Sequence, residues 1–435
     1  MNRAAGLGLF SLAALVVGNM VGAGVFTTSG FALQDLHSPL QVLLAWLAGG
    51  LLALCGAVSY GVLARLMPQS GGEYLFLSRT VHPLAGFIAG WISLLAGFTG
   101  AIALAAIAFE AYLLPDPLRQ LLPQNAVATA VILLASLAHG RRRSHGVLIQ
   151  NLAVVCKLLF LSGFIAFALL ADSPADWTGV RAWRTAEAGA FSPGAFALAV
   201  MWISFSYSGF NAAIYVAGEA ADAVHTVPRA MLLATVLVTL VYLVLNAIFV
   251  FAPAPSTIAG QEDVAALAAL ALAGEGMAAF MRAIIALALL TSVSAMIMAG
   301  PRVYARMAED GLMPAALRFR DEVPAAAVAL QALLAIVVVW VAGLRELLSY
   351  LGFTLSLSAA ATVASLFVAV RRLGPDAAHP AGYPWAPAIF VMATLLFAAV
   401  AALRSPREMA AALVTFLLTG GLYYLVRPRT GFTGN

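Results

Sequence analysis

Two glycine-bearing segments and one lysine are the residues of this chain whose types and positions point to chemistry. The first segment runs Gly18-Asn19-Met20-Val21-Gly22-Ala23-Gly24-Val25-Phe26, with Gly22 and Gly24 near the middle of an apolar stretch. The second, Phe205-Ser206-Tyr207-Ser208-Gly209-Phe210-Asn211, is a polar patch centred in another. A helix broken at membrane depth leaves backbone N–H and C=O groups unpaired, so the break should line a cavity or a ligand. A half-helix beginning after Gly22 presents the amides of Ala23 and Gly24, and the positive end of its dipole, to an anion such as a carboxylate. The opposite half-helix ends leave carbonyls, which suit an ammonium. An α-amino acid offers both groups at once. Glycine by itself also serves close packing, and Gly18 with Gly22 fits that small-residue spacing. Two such segments at corresponding places in two five-helix halves favour a ligand site.

Of the 23 basic residues, 22 are arginine and one, Lys157, is lysine. It lies about eleven residues into its own apolar stretch, roughly 16 Å from the start and near the bilayer midplane. Burying it there costs on the order of 2.5 to 3.5 kcal/mol, so something must compensate. It either caps carbonyls and locks two helices, or loads and unloads a proton, or serves as a fixed ammonium in place of a sodium ion. Glu110, near the end of the third stretch, reads as interfacial, with a pocket or gate carboxylate as the alternative.

These residues need elements to hold them. In 435 residues, 63% are hydrophobic and only 10% charged, against roughly 25% in soluble domains. Repeated apolar stretches of about 20 residues predict membrane helices, not a barrel with alternating strands. They run about 7 to 33, 39 to 64, 84 to 114, 124 to 138, 146 to 171, 192 to 218, 229 to 252, 276 to 304, 325 to 342, 346 to 370, 384 to 403 and 408 to 426. The first is too long, with eleven more behind it, to read as a cleaved leader. With the N-terminus inside, the inner joints hold 15 arginines, including Arg65, Arg79 and the Arg141-Arg142-Arg143 triplet, and the outer joints seven. That bias predicts both termini in the cytoplasm. The net charge of +4 is then topological and implies no nucleic-acid partner.

Cys55 and Cys156 both fall inside apolar stretches and read as small core residues. The six histidines sit in joints or at stretch ends without metal-ligand spacing, so neither metal nor cofactor is expected. The middle of the stretches holds no Asp, Glu or His for an enzyme to use. A channel would share the hydropathy but would not require paired breaks and a buried lysine.

In these segments the chain resembles the amino acid/polyamine/organocation family, over essentially its whole length. The matching stretches are Gly22 to Phe26, Phe205 to Asn211, Pro68 to Tyr74 with Gly71-Gly72-Glu73-Tyr74, Glu219 to Pro228, and Arg302 to Pro314. The resemblance implies an all-α integral membrane protein of the LeuT fold with twelve transmembrane helices. Two inverted five-helix repeats would occupy residues 1–372, with two extra helices and a cytoplasmic tail in 373–435. The sequence Phe-Ser-Tyr-Ser-Gly-Phe-Asn is most similar to the L-type transporters within the family. The implied activity is sodium-independent secondary transport of neutral L-amino acids across the cell's inner membrane by alternating access, as proton symporter or exchanger. A cationic amino acid or polyamine antiporter is the alternative. On this resemblance the substrate is bound by Val21, Gly22, Ala23, Gly24, Ser206, Tyr207, Ser208 and Gly209. Phe205 would be its aromatic gate and Asn211 a polar pocket or gating residue. Lys157 would contact the first break and the eighth helix, where Ser292 and Ser294 are the candidates. Polyamine and acid-resistance exchangers often have a glutamate where this chain has Asn211, which argues against a cationic substrate. The joint from Pro115 to Pro123 lacks the cysteine that tethers animal L-type transporters to an accessory chain, so no disulfide-linked subunit is expected. Compact joints and short termini point to a bacterial protein.

Overall fold

The computed structural model describes residues 6–114, 122–139, 146–171, 177–185, 191–319, 324–373 and 381–426. Arg3, Arg119, Arg141, Arg142, Arg143, Arg320, Arg427, Arg429 and residues 115–121 of the outer joint lie outside the described residues. The described chain is all-helical, apart from one isolated bridge between Leu7 and Ala220.

Helices α1 (Leu9–Met20) and α2 (Ala23–Leu36) share the first apolar stretch, and α3 (Pro39–Leu66) follows. After the short α4 (Gly72–Thr80), α5 (Pro83–Ile92) passes through a π-helical turn, Ser93–Gly100, into α6 (Ala101–Leu113). Next come α7 (Ala126–His139), α8 (Gly146–Ala171), the short α9 (Thr178–Thr185) and α10 (Pro193–Tyr207), which continues as a 3-10 helix over Ser208–Glu219. The chain ends with α11 (Ala223–Phe251), α12 (Val264–Glu309), α13 (Ala325–Val341), α14 (Leu344–Arg372), α15 (Trp385–Ala402) and α16 (Pro406–Val426). Nine helical segments among the described residues are long and apolar enough to cross a membrane, accompanied by three shorter apolar helices. Every apolar stretch of the sequence falls on one of them. The short α4 and α9, in the joints, carry too few apolar residues to be read as spans. Helix α12 starts well before the expected residue 276 and bends at Ala273 and Gly274.

Local chemistry explains several starts. Ser38, His82 and Ser192 each precede a proline, and each side chain accepts a backbone N–H of the first turn, at 3.4, 3.1 and 3.4 Å. Proline at the first helical position lacks only an N–H that would have been unpaired anyway. On the outside, α15 and α16 expose Met392, Leu396, Leu417, Leu418 and Leu425, as a lipid-facing surface requires. This is a multi-span membrane protein.

One end of the bundle is shut by Arg345 at the start of α14. Its Nη2 donates to both carboxylate oxygens of Asp35 at 2.7 Å and its Nη1 to Gln34 Oε1 at 3.0 Å. Its guanidinium stacks over Trp202 at 5.1 Å and Phe31 at 5.9 Å. The latch joins α2, α10 and α14. Toward the opposite end, a cavity of about 1520 Å³ runs from the interruptions of the first and sixth stretches to a rim bearing Ser70, Arg79, Arg302, Arg306 and Asp310.

Candidate functional site

Helix α1 stops at Met20, Val21 (φ −77°, ψ 82°) and Gly22 (φ −129°, ψ −155°) leave the helical conformation, and α2 begins at Ala23. The interruption expected from the glycines is therefore two residues long. As the first residues of α2, Ala23 and Gly24 present N–H groups without intrahelical acceptors, and both line the cavity with Gly22. The carbonyls that end α1 are held individually. Lys157 Nζ donates to Val21 O at 2.7 Å, and Tyr242 Oη donates to Met20 O at 2.5 Å. A cation at a helix C-terminus also meets the negative end of its dipole.

The second interruption takes another form. Helix α10 is α-helical to Tyr207 and then tightens into the 3-10 run from Ser208, instead of opening into an extended break. Runs of 3-10 helix beyond three or four residues are uncommon, so tertiary contacts must hold this one. Backbone packing supplies them. A Cβ on Gly209 would lie 2.6 Å from the Asn19 carbonyl carbon, and one on Gly24 would lie 2.9 Å from Ser206 Cβ and 3.0 Å from its Cα. Each interruption thus sets a glycine against the other's chain. Tyr242 Oη, which holds Met20, is also 3.3 Å from Ser206 O, so a single phenol sits between the two.

Ser206 Oγ is buried and has no hydrogen-bond partner, although it lies beside Gly24 on the cavity wall. An unpaired buried hydroxyl costs about 1 to 3 kcal/mol, a cost that a hydrogen-bonding group entering the cavity would offset. Phe205, Ser208, Gly209 and Asn211 line the same cavity. Tyr207 reaches it too, but its ring packs in a fully buried cluster with Trp46 and Tyr242, at 5.9 and 5.1 Å between centroids. Val21 contributes its carbonyl to Lys157 while its side chain is buried off the cavity. Ser292 lines the cavity with its hydroxyl turned back onto Ala288 O at 3.0 Å, and Ser294, half-buried, is not part of the lining. Glu110 is buried and caps α7: Oε1 accepts from Asn125 N and Oε2 from Ala128 N, both at 2.9 Å. It lies off the cavity.

Two buried polar residues near the site are not evident from the sequence. Tyr242 lies in an apolar run, and its signal was a phenol in mid-stretch, which needs an acceptor when buried. Its neighbour one turn on, Asn246, is also buried; its Oδ1 accepts from Ser29 Oγ, which in turn accepts from Trp46 Nε1 at 2.9 Å. Glu73, the second, follows two glycines in a joint and turns out to be buried on the cavity wall. For Tyr242→Phe we expect a loss of stability of about 0.5 to 1.5 kcal/mol, because the Met20 carbonyl loses its phenol donor and keeps only Gly22 N, while the ring is kept. Thermal unfolding in detergent checks it; an unchanged melting temperature would show that the phenol does not hold the break.

The profile of the amino acid permease family matches residues 7–422. Among curated proteins, the chain is 27% identical over 383 residues to the large neutral amino acids transporter small subunit 2 of Homo sapiens, covering 86% of this chain and 71% of that protein. It is 29% identical over 267 residues to the Asc-type amino acid transporter 1 of Homo sapiens, covering 60% of this chain and 50% of that one. The b(0,+)-type amino acid transporter 1 of Homo sapiens is 27% identical over 244 residues, 55% of this chain and 50% of its own length.

Proposed function

The chain belongs to the amino acid permease family, and from that premise we propose that it carries neutral L-amino acids across the cell membrane by alternating access, without sodium. It is a transporter, not an enzyme. The observation that carries the substrate assignment is the meeting of free amides at Ala23 and Gly24 with the unpartnered Ser206 hydroxyl on one cavity wall. The carboxylate sits on the amides, where the dipole of α2 favours it. The ammonium faces helix-end carbonyls of the interrupted segments. The side chain extends past Phe205 into the wider cavity.

In this reading the fold has twelve transmembrane helices in the LeuT arrangement, with inverted repeats in residues 1–372 and two further helices in 373–435. The packing of the first stretch's interruption directly on that of the sixth supports it. Both termini are cytoplasmic, as the arginine bias requires. The cavity then opens inward, and the Arg345 latch closes the outer side. Lys157 is a fixed ammonium that holds the Val21 carbonyl, the work a bound sodium ion would do. Glu110 is committed to α7, which removes the carboxylate that a cationic substrate would have needed there. One relative is named as a small subunit. Cys55 and Cys156, in the middle of α3 and α8, lie too deep for a disulfide to an accessory chain, so none is expected here.

Uptake of a panel of radiolabelled amino acids by proteoliposomes tests the reading. Saturable uptake of neutral members, unaffected by replacing sodium, is the expected result; uptake of arginine, lysine or polyamines alone would overturn the neutral assignment.

A further inference from the structure

Beyond the substrate site, the cavity wall holds a carboxyl group that the reading above leaves unused. Glu73 stands at the start of α4, behind Gly71 (φ +147°) and Gly72 (φ +58°). Those backbone conformations belong to glycine, and they turn the chain sharply enough to send the Glu73 side chain inward. A Cβ on Gly72 would also lie 2.6 Å from Tyr215 Cδ1, so the joint is packed flat against the 3-10 helix.

Three elements send donors to this carboxyl. Tyr60 Oη on α3 donates to Oε1, Asn211 Nδ2 on the 3-10 helix donates to Oε1 at 3.2 Å, and Ser358 Oγ on α14 donates to Oε2 at 3.3 Å. Tyr215 is the other titratable group that faces it from the 3-10 helix. The neighbouring Tyr74 donates instead to Asp310 Oδ2 at the end of α12, at 3.1 Å. Among the described residues no ion pair includes Glu73, so its charge, when present, has only neutral partners. A buried carboxylate without a cation is costly, and the ordinary response is to take up a proton. Burial pushes the Glu73 carboxyl above its usual range, and the three donors only partly offset that.

We propose that Glu73 is a proton-binding site that couples protonation to movement of the 3-10 helix, α3 and α14 about the cavity. The proton comes from water in the cavity onto Oε2, and the Ser358 hydroxyl then turns from donor to acceptor. The sign follows from burial. The packed arrangement holds the proton more tightly than a water-exposed carboxyl would, so acid favours this arrangement, and a transition that exposes Glu73 to water releases the proton. A carboxyl that is reached from opposite sides of the membrane in the two arrangements moves a proton with each net cycle and so ties net substrate movement to the proton gradient, while exchange of one amino acid for another needs no net proton transfer.

The proposal rests on the transport reading, and the test separates the two. Wild type and Glu73→Gln are compared in proteoliposomes for amino-acid exchange and for accumulation driven by a proton gradient. Infrared difference spectra on acidification, recorded without substrate, follow the carbonyl band of a protonated carboxylic acid. The expected result is a band in the wild type that is missing from Glu73→Gln, with exchange kept at the wild-type rate and gradient-driven accumulation lost. Identical bands, or identical accumulation, in the two proteins would overturn the proposal. A band that depends on Glu73 in a protein that takes up no amino acid would instead sink the transport reading and leave the proton site standing.

Discussion

Gly24→Val is expected to abolish amino-acid binding while the protein still inserts in the membrane. The Gly24 Cα already faces the Ser206 backbone so closely that a methine and two methyls must push α2 away from α10. That displacement removes the amide pair from the carboxylate position and separates it from the Ser206 hydroxyl. Loss of one charge-assisted contact is worth about 1.5 to 3 kcal/mol, and two lost together lower affinity by about a hundredfold or more. Gly22→Ala guards against the objection that the first variant is merely misfolded. Its Cβ would meet nothing closer than 4.0 Å, and its φ suits alanine, so the fold is kept while a methyl enters the cavity beside the amides. Equilibrium binding of the labelled substrate should therefore weaken in both variants, with an unchanged melting temperature in Gly22→Ala. Wild-type affinity in Gly24→Val would remove the first interruption from the site.

The second large effect is expected for Lys157→Met, which keeps most of the volume and removes the donor to Val21 O. A buried carbonyl left without a charged donor costs about 1.5 to 3 kcal/mol, and the end of α1 loses its counter-charge. Exchange and accumulation should both fall by about tenfold or more, together with thermal stability. This outcome differs from that for Glu73→Gln, in which only accumulation is lost. Wild-type exchange in Lys157→Met would show that the ammonium is dispensable for holding the interruption.

Both residues were legible in the sequence, for the same reason. Glycines and a lone lysine in the middle of apolar stretches violate the demands of a lipid-embedded helix, and a violation at that depth has to be compensated locally. The compensation was harder to see. Lys157 needed an acceptor, but Val21 is 136 residues away in the chain, and only the packing of α8 on α1 brings them together. The second interruption was located correctly within its stretch but not in form, because serine, glycine and asparagine are compatible with either an extended break or a tighter helix. What selects the 3-10 helix is the backbone of Asn19 and Met20 against Gly209, a tertiary contact.

Carboxylates were the least legible. Glu110 and Glu73 both stand where a polar joint meets an apolar stretch, and composition alone places such residues at the interface with water. Glu110 is buried because the first turn of α7 needs acceptors for its free amides, and Glu73 because two glycines turn its chain inward. Neither reason is a property of the residue itself. Tyr242 shows the converse, a polar group hidden in an apolar run whose hydroxyl serves the gap between two interruptions.

An α-amino acid held at its two charged ends by the interrupted helices needs both charges to bind. Competition against the labelled substrate tests it most directly. The best-transported neutral amino acid is compared with its methyl ester, which lacks the carboxylate, and with its N-acetyl derivative, which lacks the ammonium. Neither derivative is expected to displace the label at concentrations where the parent does. Displacement by the ester as effective as that by the parent would contradict the assignment of the carboxylate to the amides of Ala23 and Gly24.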